Sequence, residues 1–444
     1  MKSTLLLLIS MLLMAKGYAQ LSIDGQLRTR SELLNGQSAP LPKGSKPAFF
    51  TSQRTRLKVD YISSRIQFRA TLQDVRVWGQ DASTNNRVSP STSNGLMMHE
   101  AWASVGFLDT TQTKKGLDLR LKIGRQELIY DDSRLLGNLD WLQQGRRHDA
   151  AVLQYTQPGL QLHLGAAYNQ NRENRSGSLY DGIPVGYAAG TNGIGTMYKS
   201  MQFIYVNRKL PRGYLSFLAL KDDFQKYELT STTDKIWKEG TWSRITFGPY
   251  LQTHLTNTWQ LNASANLQTG RDKTGKELLA YFYSLKATAA LSKYFNIGPG
   301  FDYSSGSTAG NSRNHSFDPL YGTPHKFWGH MDYFYTASSF GNGGLSDLYI
   351  HSSLKTGKKW GLTADIHRFN SAAVVMNETE QRPSHLGTEL DFTAQFDLAK
   401  NIGIQAGYAT FFSSSTLAEL KGISNPKKRS DWAYIMININ PSFL

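Results

Sequence analysis

From Leu21 onward the chain alternates apolar and polar positions with a period of two, and it does so repeatedly. Trp259, Leu261, Ala263, Ala265 and Leu267 interleave with Gln260, Asn262, Ser264, Asn266 and Gln268. Leu390, Phe392, Ala394, Phe396 and Leu398 interleave with Glu389, Asp391, Thr393, Gln395 and Asp397, and Thr55, Leu57, Val59 and Tyr61 with Arg54, Arg56, Lys58 and Asp60. Successive side chains of a strand point to opposite faces, so each segment predicts a strand with one greasy and one wet face.

Applied along the chain, this pattern predicts eighteen strands, at 21–34, 52–62, 64–75, 97–107, 117–127, 147–157, 160–170, 197–209, 214–224, 241–254, 258–270, 278–292, 295–305, 346–356, 360–369, 386–398, 402–413 and 430–442. A soluble sandwich alternates too, so the connections decide. Tight turns follow the even-numbered strands, around Ser63, Pro158-Gly159, Pro211-Arg212-Gly213, Lys293-Tyr294, Gly357-Lys358-Lys359 and Lys400-Asn401, whereas long polar segments such as 171–196 and 306–345 follow odd-numbered ones. Short turns on one rim, long loops on the other and an even strand count predict an all-β fold: a transmembrane β-barrel of about 18 antiparallel strands, with short periplasmic turns and long extracellular loops. Trp360, Tyr408, Trp432 and Tyr434 fall near strand ends, where amphipathic rings form an interfacial belt. The final strand, DWAYIMININPSFL, carries the aromatic Phe443 next to last, similar to the terminal signal read during outer-membrane barrel assembly.

The first residues fall outside this pattern. Lys2, the apolar run Leu5 to Met14 and the small residues Gly17 and Ala19 read as a secretory signal over 1–19. Residues 20–444 are then one exported barrel, placed in the outer membrane of a Gram-negative bacterium, with no later segment apolar enough for a spanning helix. Low charge (19%), high aromatic content (12%) and 39 glycines suit a chain with one apolar and one wet surface. With no cysteine, disulfides are excluded.

An eighteen-strand barrel is wide enough for an aqueous channel, which puts function on the inward face. The polar parity of the first, second, third and fifth strands predicts Arg28, Arg30, Arg54, Arg56, Lys58, Arg65, Arg69, Arg120 and Lys122 as inward bases, against Asp24, Glu32, Asp60 and Asp118 as inward acids. The net charge of +15 has the same sign, and a basic lumen draws in anions. Guanidinium forks suit carboxylate or phosphate, and Gln26, Gln53, Gln67 and Gln73, assigned to the same face, suit sugar hydroxyls. The alternation slips near Asp74, which predicts a bulge or an exit from the membrane there. A solvated lumen with self-compensating charge is the competing reading.

The segment GRQELIYDDSRLLGNLDWLQQGRRHDA, residues 124–150, lacks both periodicities yet concentrates Arg125, Arg134, Arg146 and Arg147 beside Asp131, Asp132, Asp140 and Asp149. It resembles the central signature of the alginate export family, a GRQ, RLLG, DW and GR-x-x-DA series after a strand. QRTRLKVDY at 53–61, QDVRVWG at 73–79, FDPLYGTPHKFWG at 317–329 and GGLSDLYI at 343–350 resemble it too. The resemblance implies an eighteen-stranded outer-membrane barrel through which a negatively charged polyuronate diffuses, and it marks Arg54, Arg56, Arg125, Arg134, Arg146 and Asp149 as matching charged positions. His148 and Asp131-Asp132 depart from the family pattern.

With glycines at 124, 137 and 145 for tight turns, the loop is expected to fold inward, cross-linked by ion pairs, and narrow the channel. The combined substrate path is therefore Arg54, Arg56, Lys58, Arg65, Arg69, Arg120, Lys122, Arg125, Arg134, Arg146, Arg147 and Asp149. In the loop 306–345, His315, Asp318, His325 and His330 match no common metal spacing, and Tyr321, His325, Phe327 and Trp328 are expected to pack as a plug or a sugar-stacking surface. The expected partners are outer-membrane lipid, an anionic polysaccharide or small anions, and periplasmic export proteins, with no nucleic acid, no metal or other cofactor, and a monomeric state. A general anion-preferring porin and an outer-membrane hydrolase are the alternatives. The chain has no G-x-S-x-G, H-E-x-x-H or P-loop, and His99-Glu100, placed on opposite strand faces, makes no catalytic dyad.

Overall fold

The computed structural model describes residues 20–79, 96–108, 116–170, 173, 177–178, 180, 197–230, 235–308, 310–334, 343–377 and 380–444. The expected signal segment 1–19, most of the loop 171–196 and residues 335–342 lie outside them. The strands are β1 (Gln20–Asn35), β2 (Ala48–Ile62), β3 (Ile66–Val77), β4 (Met97–Gly106), β5 (Asp118–Gln126), β6 (His148–Gln157), β7 (Leu160–Tyr168), β8 (Ser200–Leu210), β9 (Gly213–Leu229) and β10 (Lys235–His254). There follow β11 (Trp259–Arg271), β12 (Glu277–Ala290), β13 (Phe295–Ser304), β14 (Leu345–Thr356), β15 (Trp360–Asn370), a short loop hairpin β16 (Val375–Asn377) and β17 (Glu380–Arg382), β18 (His385–Ala399), β19 (Ile402–Ser413) and β20 (Arg429–Ile439).

Apart from the loop hairpin, these strands form one 18-stranded sheet of antiparallel neighbours, closed because β1 pairs with both β2 and β20. The barrel strands match the eighteen expected ones in order. The main difference in extent is β9–β10, which pair beyond the expected ends as far as Leu229 and Lys235. Tyr227 packs edge-on against Trp237 and Trp242 there, with ring centroids 5.6 and 5.1 Å apart, holding the hairpin together above the wall.

Alternation now has a physical side. Leu57, Ile204, Leu285, Ile350, Phe392 and Ile435 project outward and exposed, whereas Arg54, Gln268, Glu389 and Asp391 point inward and are buried. An outward apolar band around a polar interior is what a bilayer demands of a barrel. Trp360 and Tyr408 face outward as expected, but Trp432 and Tyr434 are buried inside the barrel. They share inward parity because Ile435 and Ile437 take the lipid side of β20. The suspected slip near Asp74 does not occur on the β2 side: Arg54 stays opposite Val75 and Ser52 opposite Val77. Asp74 and Arg76 keep outward parity and pair with each other at 2.6 Å. The bulge lies instead between β3 and β4, at Thr71/Leu72.

The last expected strand ends at Ile439, and Pro441 follows it. Residues 441–444 then continue the closure along β1: the Gly25 N–H donates to the Pro441 carbonyl at 2.8 Å and the Phe443 N–H to the Ile23 carbonyl at 2.8 Å. On β13, Gly298 precedes Pro299, and no register pair joins β12 and β13 between Lys286↔Gly300 and Ala289↔Ile297. A Cβ on Gly298 would stand 1.8 Å from the Ala287 carbonyl oxygen. Gly298→Ala is therefore expected to force the two strands apart at a cost of about 1–3 kcal/mol. Urea unfolding followed by heat-modifiable gel mobility checks this, and unchanged stability would contradict the close approach.

Candidate functional site

The 127–147 connection between β5 and β6 turns into the lumen. Its anchor on one wall is Asp140, which accepts from Arg54 at 2.8 Å and lies 3.3 Å from both Arg28 and Arg56. Around it Arg28 donates to Gln143 Oε1 at 2.9 Å, Arg30 to the Trp141 carbonyl at 2.7 Å, and Gln73 to the Gln144 carbonyl at 3.0 Å. Arg30 also lies over the Trp141 ring, 4.2 Å from its centroid. Gly145 turns this end with φ +63°, and a Cβ there would meet His99 at 2.9 Å. On a second wall Asp131 accepts from Ser216 at 2.6 Å and from Tyr205 at 2.8 Å. On a third, Arg134 pairs with Asp302 at 2.5 Å and lies 3.8 Å from the Phe327 ring centroid. One loop thus spans the barrel, in keeping with the inward constriction expected of it.

The second long loop closes on the first. Leu136 and Tyr321 form a parallel bridge, the Gly137 N–H donates to the Tyr321 carbonyl at 3.0 Å, and the Thr323 N–H donates to the Ser133 carbonyl at 2.8 Å. His325 stacks on Trp141, centroids 4.1 Å apart, and Arg146 donates to the Gly322 carbonyl. The second loop has its own wall contacts. Asp318 pairs with Arg244 at 2.8 Å, Tyr321 donates to Asp222 at 2.7 Å, and Trp328 donates to Asp302 at 3.0 Å. The two loops and the wall enclose two apolar clusters, one with Phe282, Trp328, Phe369, Phe411 and Trp432, the other with Leu136, Tyr198, Met201, Leu220 and Tyr321. Tyr321, His325, Phe327 and Trp328 are thus packed, the plug alternative of the sequence reading. Among the described residues no group of ligating side chains is arranged to hold a metal ion.

The expected substrate-path residues separate by position. Arg54, Arg56, Lys58, Arg69, Arg120 and Lys122 do face inward, but carboxylates or a ring engage them. Lys58 meets Asp24 at 3.1 Å, Arg69 meets Asp60 at 2.6 Å, Arg120 meets Asp118 at 2.5 Å, and Lys122 sits 4.1 Å from the Trp102 centroid. Arg134 and Arg146 belong to the loop core, and Arg147 lies against Met97. Four inward or path assignments need correction. Arg125 and Asp149 share the outward parity of Ile123 and pair with each other at 2.8 Å, so they stand on the lipid side. Arg65 lies in the turn before β3, exposed, rather than in the inward row. Gln53 has the outward parity of Thr55 and accepts from Trp78, 3.0 Å away.

His99 and Glu100 were expected on opposite faces, but the β3–β4 bulge turns both inward. His99 contacts Glu127 at 2.8 Å, and Glu100 accepts from Trp102 at 3.0 Å. A bulge adds one residue to a strand, and single-sequence periodicity cannot see it.

The profile of the alginate export family matches residues 19–427. The chain belongs to the alginate export family. Among curated proteins none matches it. Solved barrels of similar fold include Pseudomonas aeruginosa OccK3 (OpdO), 13% identical, covering 95% of this chain and 96% of that one with TM-score 0.59. Acinetobacter baumannii OccAB2 is 12% identical over 96% and 98% of the two chains, TM-score 0.57. P. aeruginosa OpdK, solved with vanillate, is 11% identical over 95% and 99%, TM-score 0.56. Membership of an export family and a closed eighteen-stranded barrel describe a channel.

Two loop acids give this alginate export barrel opposite responses to pH. Burial pushes Asp140 up, but Arg54, Arg28 and Arg56 together outweigh it and hold its pKa below the ordinary value. Burial raises Asp131 to about 6, against the hydrogen bonds from Ser216 and Tyr205. A raised carboxyl pKa stabilises the docked loop fully below the undocked value of 3.8, and that contribution is lost as pH rises through about 6. Docking through Asp131 is therefore expected to tighten as pH falls from 7 toward 4. In planar bilayers closed dwell times lengthen over that range, and Asp131→Asn removes the dependence.

Asp140→Asn is expected to weaken docking by about 1.5–3 kcal/mol, the worth of hydrogen bonds to charged groups, and to raise open probability roughly ten- to hundredfold. Single-channel recording checks it; unchanged gating would mean that Asp140 does not hold the loop.

Proposed function

We propose that the barrel lies in the outer membrane and passively conducts an anionic polysaccharide, a polyuronate such as alginate, from the periplasm. The observation that carries this is the short-turn mouth. A concavity of about 910 Å³ there is lined by Gln157, Gln161, Asn207, Lys209, Arg212, Tyr214, Gln252 and His254, and none of the described residues lining it is an acid. Amides and a phenol suit sugar hydroxyls, and bases without neutralising acids suit carboxylates carried at low local concentration along a chain. The inward arginines behind Asp140 add to this reading. A uronate carboxylate offers Arg28, Arg54 and Arg56 the same chemistry as Asp140, so an entering chain can take the loop's place rather than open bare charge.

Repeated weak contacts of this kind also permit exit, which conduction requires. A general small-anion porin is the second reading, favoured by the apolar clusters that fill much of the lumen around the plug.

The test is the reversal potential of single channels under a salt gradient, with oligouronates then added on the short-turn side. Anion preference with block by acidic but not neutral oligosaccharides is expected. Lys209→Gln/Arg212→Gln should move the reversal potential toward zero and weaken the block. Anion preference without oligouronate block would leave the small-anion porin.

A further inference from the structure

Below the plug lies a second space, a cavity of about 590 Å³ between the loops and the wall from β10 to β20. Its charged lining is mostly engaged. Arg134 and Asp302 hold each other at 2.5 Å, and His351 holds Asp365 at 2.5 Å. Lys286 differs: among the described residues no hydrogen bond or ion pair involves its side chain, which lines this cavity from β12.

Two neighbours on the same face, Ser264 and Ser284, are likewise unpartnered among the described residues. Asn262 lies directly opposite Lys286, and Ser264 directly opposite Ser284, across the β11–β12 ladder. The Ser264 hydroxyl is buried without a hydrogen-bond partner, and Ser284 makes none either among the described residues. Asn262 donates to the Tyr250 hydroxyl at 2.8 Å, which fixes the amide at the edge of the group. Buried polar groups in folded proteins nearly always find partners, so adjacent unpartnered hydroxyls beside an unpaired amine mark a place where a ligand supplies them. Asp365, Asp302 and Asp132 face the amine electrostatically, Asp365 foremost, but each is ion-paired elsewhere, Asp365 with His351 and the other two with Arg134.

We infer that Lys286, Ser264 and Ser284 form a binding subsite for one carboxylate-bearing sugar unit, with Lys286 meeting the carboxylate and the two serines meeting hydroxyls. The inference deepens the proposed function and rests on it for the choice of ligand. It also moves monomer recognition to the wall opposite the arginine row, whose charges are already occupied. Trp141 and Trp328 line the same cavity, which gives the site an optical signal.

The experiment titrates the refolded, detergent-solubilised barrel with D-glucuronate and with D-glucose, reading tryptophan fluorescence. Wild type, Lys286→Gln and Lys286→Arg are compared, each first shown to be folded by heat-modifiable mobility. Saturable quenching by glucuronate but not glucose is expected, weakened about tenfold or more in Lys286→Gln and largely restored in Lys286→Arg. No saturable response in wild type, or equal affinity in Lys286→Gln, overturns the subsite. The two failures are separable. Oligouronate block of wild-type channels together with unchanged Lys286→Gln binding sinks only the subsite, whereas Lys286-dependent glucuronate binding in channels that show no block sinks the transport reading and keeps the subsite.

Discussion

The lumen depends on one carboxylate among three guanidinium groups. Arg28 and Arg54 stand directly opposite each other across the β1–β2 ladder, with Arg56 one inward position further along β2. Like charges directly opposite on a sheet repel, so this stretch of wall is unfavourable by itself. Asp140 arrives from a loop 86 residues from Arg54 in sequence and turns the repulsion into a shared attraction. Wall and loop therefore stabilise each other: the barrel positions the arginines, and the loop makes that position tolerable. Asp140 still keeps 44% of its side-chain surface open, so the attraction is moderated by water.

The strands were legible in the sequence because a bilayer enforces them. Each membrane-crossing segment must satisfy its backbone within a closed sheet and present apolar side chains outward, and that leaves a period of two that no tertiary contact erases. What the sequence could not show is which charges meet. Arg54 and Asp140, or Arg134 and Asp302, are far apart in sequence and come together only when the loop folds inward. Counting nine inward bases against four acids on the wall took in Arg65, which lies in a turn, and missed the acid supplied by the loop, which engages three of those arginines. Arg125 and Asp149 misled for a different reason. At the long-loop rim an ion pair can occupy the outward face, where the apolar rule relaxes, so polarity no longer reports direction.

The signature segment was recognisable before its purpose was. In the fold its charged and aromatic positions are the loop's anchor points: Arg134 to Asp302, Asp140 to the arginines, Trp141 stacked on His325, Arg146 on the Gly322 carbonyl. The FDPLYGTPHKFWG segment supplies the other half of the same assembly through Asp318, Tyr321, His325 and Trp328. Two blocks that are remote in sequence are thus one object, a paired-loop plug, which is why neither shows strand or helix periodicity. The Lys286 group left no comparable trace, since a lysine, an asparagine and two serines on a wet strand face look like any barrel lining. Only the absence of partners on the lysine and the two serines distinguishes the group, and that is a property of the folded lumen.

The chemistry of the plug also bears on how it can yield. A loop held only by buried apolar contacts would have to expose them to water on leaving, a cost that no polar solute offsets. Here the sector facing β1–β3 is held mainly by carboxylate, amide and carbonyl acceptors on guanidinium and amide donors. Those donors remain satisfiable when the loop departs, by water or by another carboxylate and its hydroxyls. The apolar clusters lie toward the other walls, around Phe282, Trp328 and Leu220. The arrangement therefore has a replaceable side and a fixed side: under the proposed function an anionic chain competing for the arginines would meet the loop where exchange costs least and leave the apolar contacts in place.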